Sequence, residues 1–263
     1  LPPIESLPAG LEERWPRAEP ELLSGDPEAL RRLPIDPSVS PCGVSGGANA
    51  AGAALGEFVE HRLSSYSDAR NRPEEEGTSG LSPFLHFGHL SAHEAFRAVA
   101  EAEGWTPDDL NPKAGGKREG YWGMGASAEA FLDQLVTWRE VGHHTAAKLP
   151  GYARYDSLPP WALETLAEHE DDPRGHLYTL DQLEGADTHD LLWNAAQNQL
   201  RREGVIHNYL RMLWGKKILE WTPSPREALS AMLHLNDKYA LDGRDPNSVS
   251  GIFWCLGRYD RPW

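Results

Sequence analysis

Apolar residues in this chain recur at spacings of three and four, which is the pattern of a helix with one buried face. The clearest case lies between residues 48 and 70, where Leu55, Phe58, Leu63 and Tyr66 share a face. Nowhere does a β-branched run alternate with polar residues over the four to eight positions of a strand. The sequence therefore predicts an all-α fold.

Capping signals mark where helices begin and end. Ser91 with Glu94 three positions later forms a capping box, and Gly104 suits the left-handed residue that ends a helix. The same reasoning predicts a helix start at Thr179 and another at Ser224, where a proline follows. Further helices are predicted at about 127–146, 188–204 and 206–221. Residues 105–126 are predicted as a long loop, and residues 240–263 as turns.

The first 47 residues contain many Pro, Gly and Ser, with a helical pattern only near 19–33. We interpret 1–47 as a linker with one short helix and 48–263 as one helical domain.

Charge and composition exclude several classes of protein. Lys and Arg number 25 against 40 Asp and Glu, a net charge of −15, so a nucleic-acid site must be local rather than general. No apolar stretch reaches the roughly 18–20 residues of a membrane helix, and the N-terminus lacks a signal-peptide pattern. Cys42 and Cys255 form no CxxC pair, so no disulfide framework or cysteine zinc site is indicated. We expect a cytoplasmic protein outside the membrane.

Two motifs that resemble catalytic sites have simpler explanations. The glycine-serine run at 43–47 matches a hydrolase turn, but that turn must follow a strand, so a flexible loop is favoured. His86, His89 and His93 have a spacing that could bind zinc on one helix face. The capping Ser91 interrupts that helix, so ordinary polar positions are favoured and we expect no metal.

Two features carry more information. Small hydroxyl residues and glycines at 78–88 could bind a phosphate group, although a tight turn between helices is the favoured alternative. The chain has 10 Trp, and Trp214 and Trp221 are seven residues apart, about 10 Å along a helix axis. That spacing suits electron transfer between indoles, whereas core packing is the more ordinary explanation.

Three segments together are specific. They are TSGLSPFLHFGHLS at 78–91, THDLLWNAAQNQLRREGVIHNYLRMLWGKKILEWTPSP at 188–225 and LNDKYALDGRDPN at 235–247. They closely resemble the flavin-binding helical domain of the photolyase/cryptochrome family, and within it the class II cyclobutane pyrimidine dimer photolyases. Family members carry an N-terminal α/β antenna domain, and we expect none of it in this chain.

The resemblance implies a bound FAD and assigns residues to it. Arg211 is expected to pair with Asp242 beside the isoalloxazine, and Asn236 is expected to face the flavin N5. The cofactor-binding residues implied by the family pattern are Tyr66, Thr78, Ser79, Gly80, Leu81, Ser82, Arg139, Asn208, Arg211, Asp242 and Asn247.

The resemblance also implies an electron relay and a lesion site. Trp193, Trp214 and Trp221 match the class II relay, and Trp138 and Trp254 match the aromatic residues that contact a flipped-out dimer. Where the family has two consecutive acids, this chain has Asp133 followed by Gln134. A glutamine can hydrogen-bond a thymine carbonyl but cannot supply a proton.

The function that follows is light-dependent repair of pyrimidine dimers in DNA by electron transfer from excited reduced FAD, carried out by a monomer. The alternatives are a cryptochrome-like blue-light sensor without repair activity and a flavin-free DNA-binding remnant. A local basic rim for DNA is expected from Arg201, Arg202, Lys216, Lys217, Arg258 and Arg261.

Overall fold

The computed structural model describes residues 10–15, 17–115, 117 and 119–260. Over these residues the secondary structure consists of helices and turns, with no strand. The predicted all-α fold is therefore confirmed. The chain divides into two compact units, Leu1–Ser40 and Pro41–Trp263. The predicted boundary after residue 47 stays a prediction.

The described residues of the first unit form three short helices, α1 (Leu11–Arg14), α2 (Pro20–Leu23) and α3 (Pro27–Arg31). The prediction of one helix near 19–33 is wrong, because Gly25 adopts a φ of 74° and ends the first segment. Asp26 then caps the next helix by accepting a hydrogen bond from the Ala29 amide at 2.9 Å.

The second unit contains the remaining helices. Their bounds are α4 (Ala48–Glu57), α5 (Tyr66–Ala69), α6 (Ser82–His86), α7 (Ala92–Ala102), α8 (Ala126–Leu132), α9 (Arg139–Lys148), α10 (Pro160–Glu168), α11 (Leu180–Gly185), α12 (Leu191–Glu203), α13 (Asn208–Trp221), α14 (Pro225–Tyr239) and α15 (Pro246–Cys255). Wider π-helical turns occur at Phe58–Arg62 and Asp133–Trp138. Tighter 3₁₀ turns occur at Leu63–Ser65, Pro107–Asp109, Pro112–Ala114 and Tyr155–Ser157.

The predicted caps are present. Ser91 Oγ accepts a hydrogen bond from the Glu94 amide at 3.0 Å, and Ser224 Oγ accepts one from the Glu227 amide at 3.2 Å. Thr179 and Gln182 form a reciprocal capping box. These local bonds satisfy amides that the helix itself leaves without partners, so the helix starts are fixed by the residues beside them.

The prediction of turns over 240–263 is wrong for residues 246–255, which form α15. Asp245 caps that helix by accepting a hydrogen bond from the Asn247 amide at 2.8 Å, and Pro246 occupies its first position. Helix α15 packs closely on α9. A Cβ atom on Gly142 would lie only 3.0 Å from the Asn247 Cα atom, so a larger residue would require the Asn247 backbone to shift.

The predicted loop at 105–126 is held to α8 by a buried acid. Glu129, which is 3% exposed, accepts hydrogen bonds from the amides of Gly120, Gly123 and Met124. In the core of the second unit, the rings of Phe58, Tyr66 and Phe131 pack with centroids 4.7–5.7 Å apart. In the described part of the chain no helix is long and apolar enough to cross a bilayer.

Candidate functional site

A cavity of about 530 Å³ lies in the second unit, between α5, α6 and α13 and the segment before α15. The eleven residues predicted to bind the cofactor all line it. They are Tyr66, Thr78, Ser79, Gly80, Leu81, Ser82, Arg139, Asn208, Arg211, Asp242 and Asn247. Gln134, predicted for the lesion site, lines the same cavity. The fold thus brings together residues that are up to 181 positions apart in the chain, from Tyr66 to Asn247.

Arg211 and Asp242 form an ion pair in the cavity lining. Both terminal guanidinium nitrogens of Arg211 lie 3.1 Å from Asp242 Oδ1, and the two side chains are 13% and 16% exposed. Burial alone would raise the pKa of Asp242, but the charge and hydrogen bonds of Arg211, with a hydrogen bond from Ser82, hold it below the usual 3.8. The carboxylate therefore stays charged and fixes the guanidinium on one side of the cavity.

The turn at 78–82 is also fixed by an arginine. Arg62 Nη1 donates to the Thr78 carbonyl oxygen at 2.7 Å, and Gly80 adopts a left-handed φ of 67°. The turn leads directly into α6, which is only five residues long.

Two buried hydrogen-bond donors in the cavity lining, Arg62 Nε and Arg70 Nη1, have no partner within the described residues. Burial lowers the pKa of His207, and its Nδ1 accepts a hydrogen bond from the Tyr209 amide, so the ring is neutral with its proton on Nε2. Two guanidinium groups in the cavity lining fit a ligand with several anionic oxygens, such as a diphosphate.

Sequence reasoning missed Arg62, Arg70 and His207 as cavity residues, although Arg62 lies within the apolar repeat at 48–70. A charged residue within an apolar repeat is itself a signal, because a buried guanidinium requires a partner. His207 carries no such signal, since its position depends on how α13 begins.

The three relay tryptophans lie outside the cavity lining and form one stack. The rings of Trp193 and Trp214 are parallel with centroids 6.4 Å apart, and those of Trp193 and Trp221 are 5.7 Å apart with their planes inclined at 68°. The heptad spacing of Trp214 and Trp221 had suggested a direct neighbour relationship on one helix. The structure instead places Trp193, from α12, in ring contact with both.

The stack continues beyond Trp221 toward the surface. Trp221 contacts Tyr178 and His189, with ring centroids 5.6 Å and 5.2 Å away. Tyr178 and His189 are joined by a hydrogen bond of 2.7 Å between the hydroxyl and Nδ1. Neither residue was anticipated from the sequence.

A second aromatic group, which we call the aromatic corner, consists of Trp138, Trp254 and Tyr259. The centroids of Trp138 and Trp254 are 4.7 Å apart, and Tyr259 lies 5.6 Å from Trp254. Trp138 and Trp254 are both partly exposed. The two tryptophans touch and are tilted by 47°, so they form an angled surface rather than two separated plates.

Asp133 connects the aromatic corner to the cavity. Its Oδ2 accepts a hydrogen bond from Trp138 Nε1 at 3.1 Å and another from Gln134 Nε2 at 3.3 Å. Both bonds lie within the π-helical turn Asp133–Trp138. The turn thus lets the Asp133 carboxylate bind both Gln134, which lines the cavity, and Trp138, which belongs to the aromatic corner.

Asn236 differs from its expected position. It is 1% exposed, and its amide bonds to Ser248 Oγ at 3.0 Å. Ser248 lines the cavity, whereas Asn236 is not among the described residues that do. Its predicted contact with a flavin stays a prediction.

The weaker sequence candidates are dispersed. His86 Nδ1 lies 3.4 Å from Asp245 Oδ2, whereas His89 Nδ1 accepts a hydrogen bond from the Gly47 amide at 3.0 Å. The two imidazole rings therefore contact different parts of the chain. The described residues contain no group of three or more side chains able to hold a metal ion. The serine of the 43–47 run lies in a loop before α4, with no strand leading into it in the described residues.

The expected basic rim is partly neutralised. Arg202 pairs with Glu203, and Lys217 pairs with Glu220. Arg261 lies outside the described residues.

Comparison with known proteins identifies the family. The chain is 37% identical over 236 residues to a deoxyribodipyrimidine photo-lyase of Methanothermobacter thermautotrophicus and 40% identical over 257 residues to that of Oryza sativa subsp. japonica. The alignments cover 90% and 95% of this chain. A third relative from Potorous tridactylus, with the same name, is 38% identical over 88% of the chain. The chain belongs to the photolyase/cryptochrome family.

The fold agrees with this family. A bacterial class III photolyase from Agrobacterium tumefaciens superposes with a TM-score of 0.59 over 81% of the chain, at 18% identity, with 38% of that structure covered. A Synechocystis cryptochrome superposes with a TM-score of 0.61 over 90% of the chain, also at 18% identity, with 44% covered. No family model matches the sequence.

The chain spans about half the length of the photolyases that it matches, or less, at 48%, 47% and 40% of the three relatives. The resemblance to the photolyase/cryptochrome family deduced from the motifs at 78–91, 188–225 and 235–247 is confirmed, whereas the assignment to class II stays a prediction.

Proposed function

We propose that this chain is the FAD-binding, catalytic part of a deoxyribodipyrimidine photolyase that repairs cyclobutane pyrimidine dimers in DNA under light. The observation that carries the proposal is the cavity. All eleven residues implied by the family pattern line it, and two buried guanidinium donors, Arg62 Nε and Arg70 Nη1, lack partners among the described residues.

These residues fit FAD in two parts. Arg62, Arg70 and the turn at 78–82 supply cations and hydroxyl groups for the diphosphate. The Arg211–Asp242 pair and Asn247 supply polar groups for the isoalloxazine ring. When bound and reduced, FAD absorbs light and supplies the electron that splits the cyclobutane ring of a dimer, after which the electron returns.

The tryptophan stack supports the reductive part of the proposal. The rings of Trp214, Trp193 and Trp221 are in successive contact. Trp221 also contacts the exposed His189, so an electron can pass from the surface toward Trp214 without a long gap. Indoles are easily oxidised side chains, and all three are at least 96% buried. Burial keeps water from the path.

The aromatic corner and Gln134 support the repair part. Trp138 and Trp254 offer a partly exposed aromatic surface against which an extruded pyrimidine dimer can stack. Gln134 lines the cavity beside this surface and carries an amide that can hydrogen-bond a pyrimidine edge. The protein is proposed to act as a cytoplasmic monomer with damaged DNA as its partner.

The test is a comparison of two DNA duplexes of the same sequence, one of which contains a thymine dimer. The protein is first reconstituted with FAD, and the visible flavin absorption of the gel-filtered sample is recorded. We expect tighter binding of the damaged duplex in the dark, and loss of the dimer under blue light with the flavin reduced beforehand. Failure to retain FAD would overturn the cofactor assignment. Equal binding of both duplexes with no repair would exclude the photolyase function and leave the blue-light sensor.

A further inference from the structure

One carboxylate oxygen in the lesion region holds two side chains at once. Asp133 Oδ2 accepts hydrogen bonds from Gln134 Nε2 at 3.3 Å and from Trp138 Nε1 at 3.1 Å. Asp133 itself is 9% exposed, so these bonds are largely shielded from water. Hydrogen bonds to a charged acceptor are stronger than those between neutral groups, especially where water is excluded.

The carboxylate determines which way the Gln134 amide faces. A carboxylate can only accept hydrogen bonds, so the NH₂ side of the amide must face Asp133. The amide oxygen of Gln134 then faces away from Asp133. Gln134 is itself one of the residues that line the cavity. Gln134 therefore presents an acceptor in a fixed orientation, rather than an amide free to rotate by half a turn.

The same oxygen fixes the Trp138 ring. An indole has a single N–H donor, and its bond to Asp133 limits rotation about the side-chain torsions. Trp138 then keeps its contact with Trp254, at a centroid distance of 4.7 Å. The stacking surface and the hydrogen-bonding amide are thereby held at a constant relative position.

We propose that Asp133 is the positioning residue of the lesion site, and that its carboxylate orients the Gln134 amide and the Trp138 indole together to receive a flipped-out pyrimidine dimer. The inference rests on the proposed function, since it assigns Asp133 a role in recognising the same lesion. Asp133 acts through its two neighbours and is not proposed to contact the DNA.

A double-mutant cycle separates this role from a general effect on folding. FAD-loaded wild type, Asp133→Ala, Gln134→Ala/Trp138→Phe and the triple variant are compared for dark binding to damaged and undamaged duplexes. Phenylalanine keeps a ring for stacking but has no N–H donor. We expect Asp133→Ala to weaken binding of the damaged duplex by about tenfold or more in the wild-type background. In the Gln134→Ala/Trp138→Phe background the same change is expected to cost less than about twofold.

Two further variants act as controls. Asp171→Ala removes an equal charge from an exposed position, and we expect it to change binding of both duplexes equally. Asp133→Asn keeps one acceptor oxygen and the side-chain shape, so it is expected to retain part of the affinity even where the alanine variant is unstable.

The outcomes are distinct. If Asp133→Ala, or Asp133→Asn where alanine does not fold, costs the same factor in both backgrounds, Asp133 does not act through Gln134 and Trp138, and the inference is overturned. If the wild type binds both duplexes equally, the proposed photolyase function is overturned, and the inference that rests on it is overturned as well. A large loss confined to the wild-type background and to damaged DNA supports both.

Discussion

The indole planes of Trp193 and Trp214 are parallel to within 1°. Trp193 Nε1 donates to the Trp214 carbonyl oxygen at 3.1 Å, and Trp214 Nε1 donates to Gln197 Oε1 at 2.9 Å. Each ring thus has its own fixed hydrogen bond in a buried environment. The distance between the two indoles is set by helix packing and hydrogen bonding, and it does not depend on a mobile side chain.

Replacing Trp193 by phenylalanine should interrupt the relay, because Trp193 is the ring that contacts both other tryptophans. We expect blue light with an external reductant to reduce the bound flavin much more slowly in Trp193→Phe, measured by loss of oxidised flavin absorption. Trp105→Phe is the matched control, since Trp105 also donates its indole N–H to a carbonyl oxygen, that of Trp122. Equal photoreduction rates in wild type and Trp193→Phe would refute the assigned path.

Asp242→Asn should destabilise the cavity, because it leaves the Arg211 guanidinium without its charged partner. Breaking one side of a largely buried ion pair costs about 3 kcal/mol. We expect a lower free energy of unfolding and weaker FAD retention, measured by denaturant titration and by flavin absorption after gel filtration. Glu203→Gln, which breaks the more exposed pair with Arg202, should cost less than about 1 kcal/mol. A similar small loss for Asp242→Asn would contradict the central role of the pair.

Stability should fall as the pH drops below the ordinary histidine pKa of 6.5, in part through His207. Burial lowers the pKa of His207 in the folded protein, so between that lowered value and 6.5 the unfolded chain binds more protons. His207→Asn keeps an acceptor for the Tyr209 amide and does not titrate, so its melting temperature should change less between about pH 8 and 5. His61→Asn, at an exposed position, serves as the control and should behave as wild type does.

Glu184 should contribute stability that is lost at more acidic pH. Burial opposes its charge, but hydrogen bonds from Lys238, Tyr239 and His234 lower its pKa from 4.5 to about 2. The contribution is present above pH 4.5 and is lost as the pH falls toward 2. Glu184→Gln should therefore lose about 1 kcal/mol near neutral pH and show a smaller decline in acid, by urea titration at several pH values. An unchanged acid profile would rule out this role for Glu184, and Glu168→Gln is the exposed control.

Gln134→Glu should raise the repair yield, because it restores the second of the two consecutive acids that the family pattern has at this position. The yield is measured as loss of the dimer from a damaged duplex under blue light, with the flavin reduced beforehand. Gln199→Glu, which adds the same charge at another residue of the cavity lining, is the control. A yield for Gln134→Glu at or below that of the wild type would contradict this prediction.

Local chemistry allowed the fold class and many helix starts to be predicted. Ser91, Thr179 and Ser224 cap helices through bonds that span three residues, so the sequence near each start was sufficient. Helix α15 was missed because Ser and Gly at 248–251 weaken its apolar period, although Asp245 and Pro246 marked its start.

The site was less accessible from the sequence. The place of Trp193 between Trp214 and Trp221 follows from the packing of α12 on α13, which no spacing within one helix can reveal. The cavity lining was expected from the family resemblance, while Arg70 and His207 emerged only when the helices were assembled around it.

The π-helical turn Asp133–Trp138 makes the site sensitive to a change in chain length at this point. Five residues make about 1.4 turns of a regular α-helix, which would carry Trp138 away from Asp133, whereas the i to i+5 bonding of a π turn brings the two residues together. Deletion of one residue from this turn would convert it to a regular α-helix. Helix α9 could still pack on α15 after a small rotation about its axis. The indole and the carboxylate would nevertheless part, so relatives that differ in length at this point should differ in lesion preference before they differ in fold.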